Sequence, residues 1–370
     1  MDKTAKNKKI IMTGGGTGGS VIPLLVVAEE LLKDDKELEF VFVGTKNGPE
    51  KELIEEFSQN TKAVKFISLL NGKWRRYFSF YNISDVFKIG LAFCKSLAIL
   101  KREKPDLVIS AGSFVSVPLV WAAGLRKIPV LIHQQDVRPG LANKLMAPWA
   151  KAITVTFEKS LIDYGPRAAW VGNPINQFRI NDYRTRFTET REKYNLSADR
   201  PVVLIIGGGT GAVAINELIF TALDQLIADY QIIHLTGKGK KIDLASHNYY
   251  QSFEFLTHEE TLLLMAAADL VISRCGLGVL TELSTLAKPA ILIPIPNSHQ
   301  EDNAQLFKKE QAAIVLDQNK LTAEKLLEEI KAVLADNNLQ KELSIHMAKI
   351  IKKGAASSLA GIIWEMLEIK

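Results

Sequence analysis

The sequence predicts an α/β chain built as two doubly wound parallel-sheet domains, and three observations carry that expectation. Apolar runs rich in Val and Ile alternate with helix-like segments along the chain. The runs are continuous rather than alternating with polar residues, as in strands covered on both faces. A unit of strand, glycine loop and helix occurs twice: residues 10–13 lead into Gly14 to Gly19, and residues 202–206 lead into Gly207 to Ala212. Each half of the chain therefore opens with its own first βα unit, as in a Rossmann-like domain.

The first half offers strands at 9–13, 39–43, 64–67, 107–110, 130–133 and 153–155. Helices are expected between them at 21–33, 84–102 and 141–147, the last stopped by Pro148. The second half offers strands at 202–206, 231–235, 253–255, 270–273, 290–293 and 313–315, with a helix at 213–229. Gly172-Asn173-Pro174 is a turn-forming cluster and marks the joint. The expected domains are 1–172 and 173–353, with a final helix at 354–370 packing back on the first domain. Two amphipathic helices, 339–353 and 355–369, close the chain.

Bulk properties narrow the class. The chain has 370 residues, enough for two domains with proper cores. With 47% hydrophobic and 24% charged residues it is globular rather than disordered. Its two cysteines, Cys94 and Cys275, are far apart and lack companions at ligand spacing. A disulfide framework is excluded, no metal site is expected, and a reducing cytoplasm is the default. The polar start reads as no signal peptide, and no run is long and apolar enough for a membrane span. A role at a membrane would therefore place the chain on its surface. The net charge of +5 is concentrated: between Lys62 and Lys104 ten basic residues face only Asp85 and Glu103.

Gly14, Gly16 and Gly19 match G-x-G-x-x-G, and Gly207, Gly209 and Ala212 match its Gly/Ala variant. A dinucleotide dehydrogenase is the obvious reading, but it needs a carboxylate at the end of the second strand for the ribose. Here that stretch ends Val41-Phe42-Val43-Gly44-Thr45. The glycines then either make tight βα turns only, or let a phosphate or sugar approach the backbone.

With Gly15-Gly16-Thr17-Gly18-Gly19 and Pro23 in place, the sequence resembles the MurG family. These are the N-acetylglucosaminyltransferases that form lipid II in peptidoglycan synthesis, members of the GT-B superfamily. Ala111-Gly112-Ser113-Phe114-Val115-Ser116 is similar to the family's second glycine loop, and His133-Gln134-Gln135-Asp136 to its His-Glu-Gln-Asn. Gly207 to Ala212 resembles the third glycine loop; Arg274, Gly276 and Glu282 fit the donor-site helix, and Gln300, Asn303 and Ala304 the motif after it. The likeness runs from about residue 10 to 350.

The resemblance implies a GT-B fold, two Rossmann-like doubly wound domains facing across a cleft. It implies an inverting transferase moving N-acetylglucosamine from UDP-N-acetylglucosamine to the C4 hydroxyl of a lipid-linked N-acetylmuramyl-peptide, with no cofactor and no metal. On the donor side it puts the diphosphate at the helix start formed by Leu277, Gly278, Val279, Leu280 and Thr281. Glu282 would meet the ribose, Gln300 the sugar, and the backbone near Leu256 the uracil, with Asn176 and Gly209 completing the substrate contacts. Arg274 is either a phosphate ligand or a structural residue. On the acceptor side it puts Thr17, Gly18 and Gly19 near the reacting sugars. The run Lys73-Trp74-Arg75-Arg76-Tyr77-Phe78 interleaves cations with rings, which suits an anionic membrane surface at its cytoplasmic face. No RNA-binding motif accompanies it, so no nucleic-acid partner is expected. Behind it Val86, Gly90, Phe93, Leu97 and Leu100 form a stripe expected to be largely core.

The sequence also departs from the family. Ser20 stands where the family usually has His, Gln134 where it has Glu, Asn176 where many members carry Arg, and Gly209-Thr210 where Ser-Gln is usual. A serine hydroxyl cannot act as a base near neutrality. The candidates to take the acceptor's proton are Asp136 and His133; Asp136 could instead cap a helix and His133 could be a backbone-bonded strand end. Two rival functions stay open: a related transferase with another lipid acceptor, and a non-catalytic relative that binds nucleotide-sugar.

Overall fold

The computed structural model describes residues 7–62, 64–69, 81–176, 185–207, 212–240 and 247–368, with side chains described from residue 88 in the helix beginning at Tyr81. The expected membrane loop at 74–80 and Gly209 with Thr210 lie outside the described residues. Residues 1–175 together with 352–370 make one unit, and residues 176–351 a second.

In the first unit the apolar runs become β1 (Lys9–Thr13), β2 (Glu39–Thr45), β3 (Lys65–Leu69), β4 (Leu107–Ser110), β5 (Val130–Gln134), β6 (Ala152–Val155) and β7 (Ala168–Trp170). They form a parallel sheet in the order β3-β2-β1-β4-β5-β6-β7. The strands divide their side chains between two cores. Ile10, Met12, Phe40 and Phe42 enter one with the helix Ile22–Asp34, while Ile11, Val41, Val43 and Val108 enter the other with the helix Ser116–Leu125. Two buried faces are why these strands read as continuous apolar runs. The C-terminal helix Ala355–Glu368 completes the first core through Leu359, Ile363, Met366 and Leu367.

Two expectations need correction here. Strand β7 was not expected, because its three residues are incompletely buried and form no apolar run. Gly90 is exposed rather than core; Leu100 of the expected stripe is buried, and the helix Tyr81–Glu103 also buries Ala92, Ser96 and Ile99. Phe93 and Leu97 do pack against that core.

Gly172 makes the return of the last helix possible. Its φ is +89, and a Cβ there would run into the backbone carbonyl of Lys352. Gly172→Ala is expected to cost about 2–4 kcal/mol, since both the left-handed backbone and the collision oppose a side chain. Thermal unfolding should show the loss as a lowered Tm.

The second unit contains β8 (Val202–Ile206), β9 (Gln231–Leu235), β10 (Tyr250–Phe253), β11 (Leu270–Ser273), β12 (Ala290–Leu292) and β13 (Ile314–Val315). These pair in parallel as β10-β9-β8-β11-β12-β13. The expected strand at 253–255 lies earlier, at Tyr250–Phe253, and Phe255 is exposed. The single helix expected at 213–229 is two, Val213–Thr221 and Leu223–Asp229, parted at Ala222. Helix Asn337–Ile350 stays with this unit, where Met347 O accepts from the Ser284 hydroxyl.

Both sheets reverse their winding beside their first strand, between β1 and β4 and between β8 and β11. In open α/β sheets ligands bind at the carboxyl ends of the strands at this switch point. Thr17 to Gly19 follow β1, and the helix beginning at Leu277 follows β11.

Candidate active site

In the second unit, the chain leaves β11 through Arg274, Cys275 and Gly276 and enters the helix Leu277–Leu286. Gly276 is the N-cap and supplies no side-chain acceptor to the first N–H groups of the helix. Two side chains from the helix His299–Lys309 brace the turn. Gln300 Oε1 accepts from the N–H groups of Cys275 and Ile295, each at 3.2 Å. Asn303 Nδ2 donates to Cys275 O at 3.1 Å. With its oxygen occupied, the Gln300 amide is oriented, and its nitrogen lies beside Gly276, 3.9 Å from where a Cβ would be. Gly278 is exposed, with open space where its Cβ would be. The result is a braced, positively polarised helix end, which favours an anion.

The predicted donor residues divide by what they can offer. Leu277, Leu280 and Thr281 have buried side chains, and the Thr281 hydroxyl donates back to Leu277 O at 2.8 Å. Of this group only backbone is available at the helix start. Glu282 is held at 2.9 Å by His258 Nε2. His258 is the first residue of the helix His258–Ala267, begun by a capping box of Thr257 and Glu260. Leu256 stands two residues before His258, in the segment that leads into this helix. Arg274 resolves to a structural residue: its guanidinium donates to Ile293 O, Pro294 O and Gln318 Oε1. Burial pushes the Cys275 thiol up to about 12, so beside this turn it stays neutral. Asn176 is half-buried at the start of the unit.

In the first unit three loops meet at the carboxyl ends of β1, β4 and β5. Thr17 and Gly19 are exposed and Gly18 is half-buried. Gln135 Nε2 donates to Gly19 O at 2.7 Å, which ties the loop after β5 to the first glycine loop. Asp136, the next residue, is half-buried on that loop. It does not cap the following helix Leu141–Met146, whose N-cap is Gly140. Gln134 is buried and joins the layers: its amide donates to Asp136 O at 2.7 Å and accepts from Tyr164 and Asn143. Ser20 points inward, accepting from Gly15 N–H at 2.9 Å.

His133 requires a correction. Offered as a proton acceptor, it is fully buried, with Nδ1 3.0 Å from the Thr154 hydroxyl and Nε2 3.3 Å from Asn173 Oδ1. Burial lowers its pKa to about 4, against a smaller opposing pull from Asn173. It is a neutral imidazole without access to a substrate. Sequence reading also missed Glu50, Gln135 as a contact, and His258; only the Thr257-x-x-Glu260 pattern announced the helix that carries His258.

Residues 10–155 match the glycosyltransferase family 28 N-terminal domain, and residues 202–359 the family 28 C-terminal domain. Fold and site together define a glycosyltransferase of two parallel-sheet domains. A Clostridium botulinum protein named as a UDP-N-acetylglucosamine–N-acetylmuramyl-(pentapeptide) pyrophosphoryl-undecaprenol N-acetylglucosamine transferase is 38% identical over 338 residues, covering 90% of this chain and 92% of its own. A Clostridium perfringens protein of the same name is 39% identical over 354 residues, covering 93% and 95%. The crystal structure of Acinetobacter baumannii MurG superposes with a TM-score of 0.73 at 26% identity, covering 97% of this chain and 99% of that one. The chain belongs to the MurG family.

Proposed function

We propose that the protein transfers N-acetylglucosamine from UDP-N-acetylglucosamine to the C4 hydroxyl of a lipid-linked N-acetylmuramyl-peptide, with inversion, forming lipid II. The observation that carries the reading is the braced helix end at Gly276, placed at a switch point and held by Gln300 and Asn303. Preorganised N–H groups there would take up the charge that develops on the β-phosphate as UDP leaves, and they need no reorganisation to do so. The second unit binds the donor: Glu282 takes the ribose, releasing His258, the Gln300 amide nitrogen takes the sugar, and backbone near Leu256 takes the uracil. The first unit binds the acceptor at Thr17, Gly18 and Gly19, with Asp136 as the proton acceptor.

The acceptor's lipid puts the first unit against the cytoplasmic face of a membrane. Among the described residues no helix is long and apolar enough to cross one. The first unit does expose Leu125, Leu141, Leu145 and Trp149 among the exposed cations Arg126, Lys127 and Lys144. Trp149 stacks on Gly124, and Trp121 Nε1 donates to Leu145 O at 3.0 Å, so these residues form one surface. Apolar groups ringed by cations suit an anionic lipid interface.

The test is transfer from radiolabelled UDP-N-acetylglucosamine to lipid I, with diacylglycerol and polyprenyl-linked sugars as parallel acceptors. Transfer to another acceptor only, or nucleotide-sugar binding without transfer, would overturn the reading. Gln300→Glu separates bracing from donor recognition. A carboxylate can still accept from Cys275 and Ile295, but it loses the donating nitrogen and places a negative charge near the diphosphate. KM for the donor is expected to rise about ten- to a hundredfold with Tm little changed.

A further inference from the structure

The first glycine loop is filled from within. Glu50, the first residue of the helix Glu50–Asn60, is fully buried. Its Oε1 accepts from Gly16 N–H at 2.6 Å and from the Thr45 hydroxyl at 2.9 Å, with Thr45 N–H at 3.4 Å. Among the described residues its partners are N–H and O–H donors, not a cation. The surrounding glycines make the room, since a Cβ on Gly15 or on Gly48 would run into the carboxylate. The neighbouring N–H, of Gly15, is taken by Ser20. The N–H groups that such a loop offers to a phosphate are thus occupied at Gly15 and Gly16 by the chain's own oxygens.

We propose that Glu50 is a positioning residue for the acceptor, its carboxylate standing where a phosphate would stand in a nucleotide-binding loop. It fixes Gly16, whose φ of +85 turns the chain outward, so that Thr17 and Gly19 are presented at the surface. Ser20 pins the loop at Gly15 and Gln135 pins it at Gly19. Two side chains distant in sequence, Glu50 and Gln135, and the neighbouring Ser20 therefore hold one short loop in a single shape. A buried carboxylate with several donors is costly to disturb, because each donor left unpaired keeps its full desolvation penalty. This inference rests on the reading that Thr17, Gly18 and Gly19 face the acceptor.

The test uses the full chain with lipid I in detergent and UDP-N-acetylglucosamine. Glu50→Ala should raise KM for lipid I about ten- to a hundredfold, while Kd for UDP stays within about twofold. Glu50→Gln, which keeps an oxygen for Gly16 N–H, should recover most of the acceptor affinity. Glu50→Asp, which withdraws the carboxylate by one methylene, should again raise the acceptor KM, and it serves if the alanine variant does not fold. An unchanged acceptor KM in the alanine and aspartate variants overturns the proposal. So does a parallel loss of UDP binding and Tm in all three, because a role in general folding predicts that pattern. A wild type that never uses lipid I overturns the functional reading, and this inference with it.

Discussion

Asp136→Asn is expected to lower kcat for transfer by about 10²- to 10⁴-fold, the usual worth of a positioned general base. Binding of UDP-N-acetylglucosamine should be unaffected, because the donor residues belong to the other unit. Asp136 and His133 are the candidates to take the acceptor's proton, Ser20 stands where the family usually has His, and the structure separates the three. His133 is sealed beneath the sheet end with both ring nitrogens in hydrogen bonds. Ser20 turns its hydroxyl into the loop at Gly15. Asp136 alone of the three is partly exposed, on a loop that Gln135 fastens to Gly19. The substitution replaces one oxygen by nitrogen, so a fall in kcat with unchanged Tm reports chemistry rather than packing. Ser20→His is the companion experiment. An imidazole there must fit the buried place from which the Ser20 hydroxyl accepts from Gly15 N–H, so a lowered activity is the expected result. Wild-type kcat in Asp136→Asn, measured with saturating lipid I, would remove Asp136 from the mechanism.

How far the sequence revealed this site depended on where each interaction is encoded. Both sheets were legible because a strand buried on two faces must be apolar at successive positions, and Val202–Ile206 or Leu107–Ser110 can hardly read otherwise. The donor turn was legible through the family likeness, since Gly276, Gln300 and Asn303 keep their spacing. Strand Ala168–Trp170 was not, since its pairing with β6 rather than its own side chains makes it a strand. Glu50 was hidden for a related reason. Nothing local tells a buried carboxylate from a solvated one at a helix start, and its partner Gly16 lies 34 residues away. The inward turn of the Thr281 hydroxyl was not legible, because motif matching supplies a residue type without the rotamer, and a mid-helix threonine often bonds back to the carbonyl four residues earlier.

Acid should destabilise this protein before its carboxylates titrate, and two buried imidazoles set the window. His133 in the first unit and His234 in the second are both fully buried, and burial lowers each to about 4. His234 is likewise committed as a neutral ring, with Nε2 3.0 Å from Asn216 Oδ1 and Nδ1 3.2 Å from the Tyr250 hydroxyl. In the unfolded chain each would take a proton near pH 6.5 (about the unperturbed value). Between pH 6.5 and 4 the unfolded state therefore binds more protons than the folded one. Stability rises with pH across that window and is lost on acidification, by about 3 kcal/mol per histidine when the window has been crossed. Below it both states are protonated and the histidines add no further slope. Glu103 acts lower still: burial pushes its carboxyl up, but the hydrogen bonds from Lys65 and Arg102 outweigh that and hold it below its ordinary value. Denaturant unfolding from pH 7 to 4 should show the loss, and His133→Asn and His234→Asn should each flatten the slope while lowering stability at pH 7. A wild-type stability that stays level down to pH 4.5 would mean that these rings are reached by water and protonate in place.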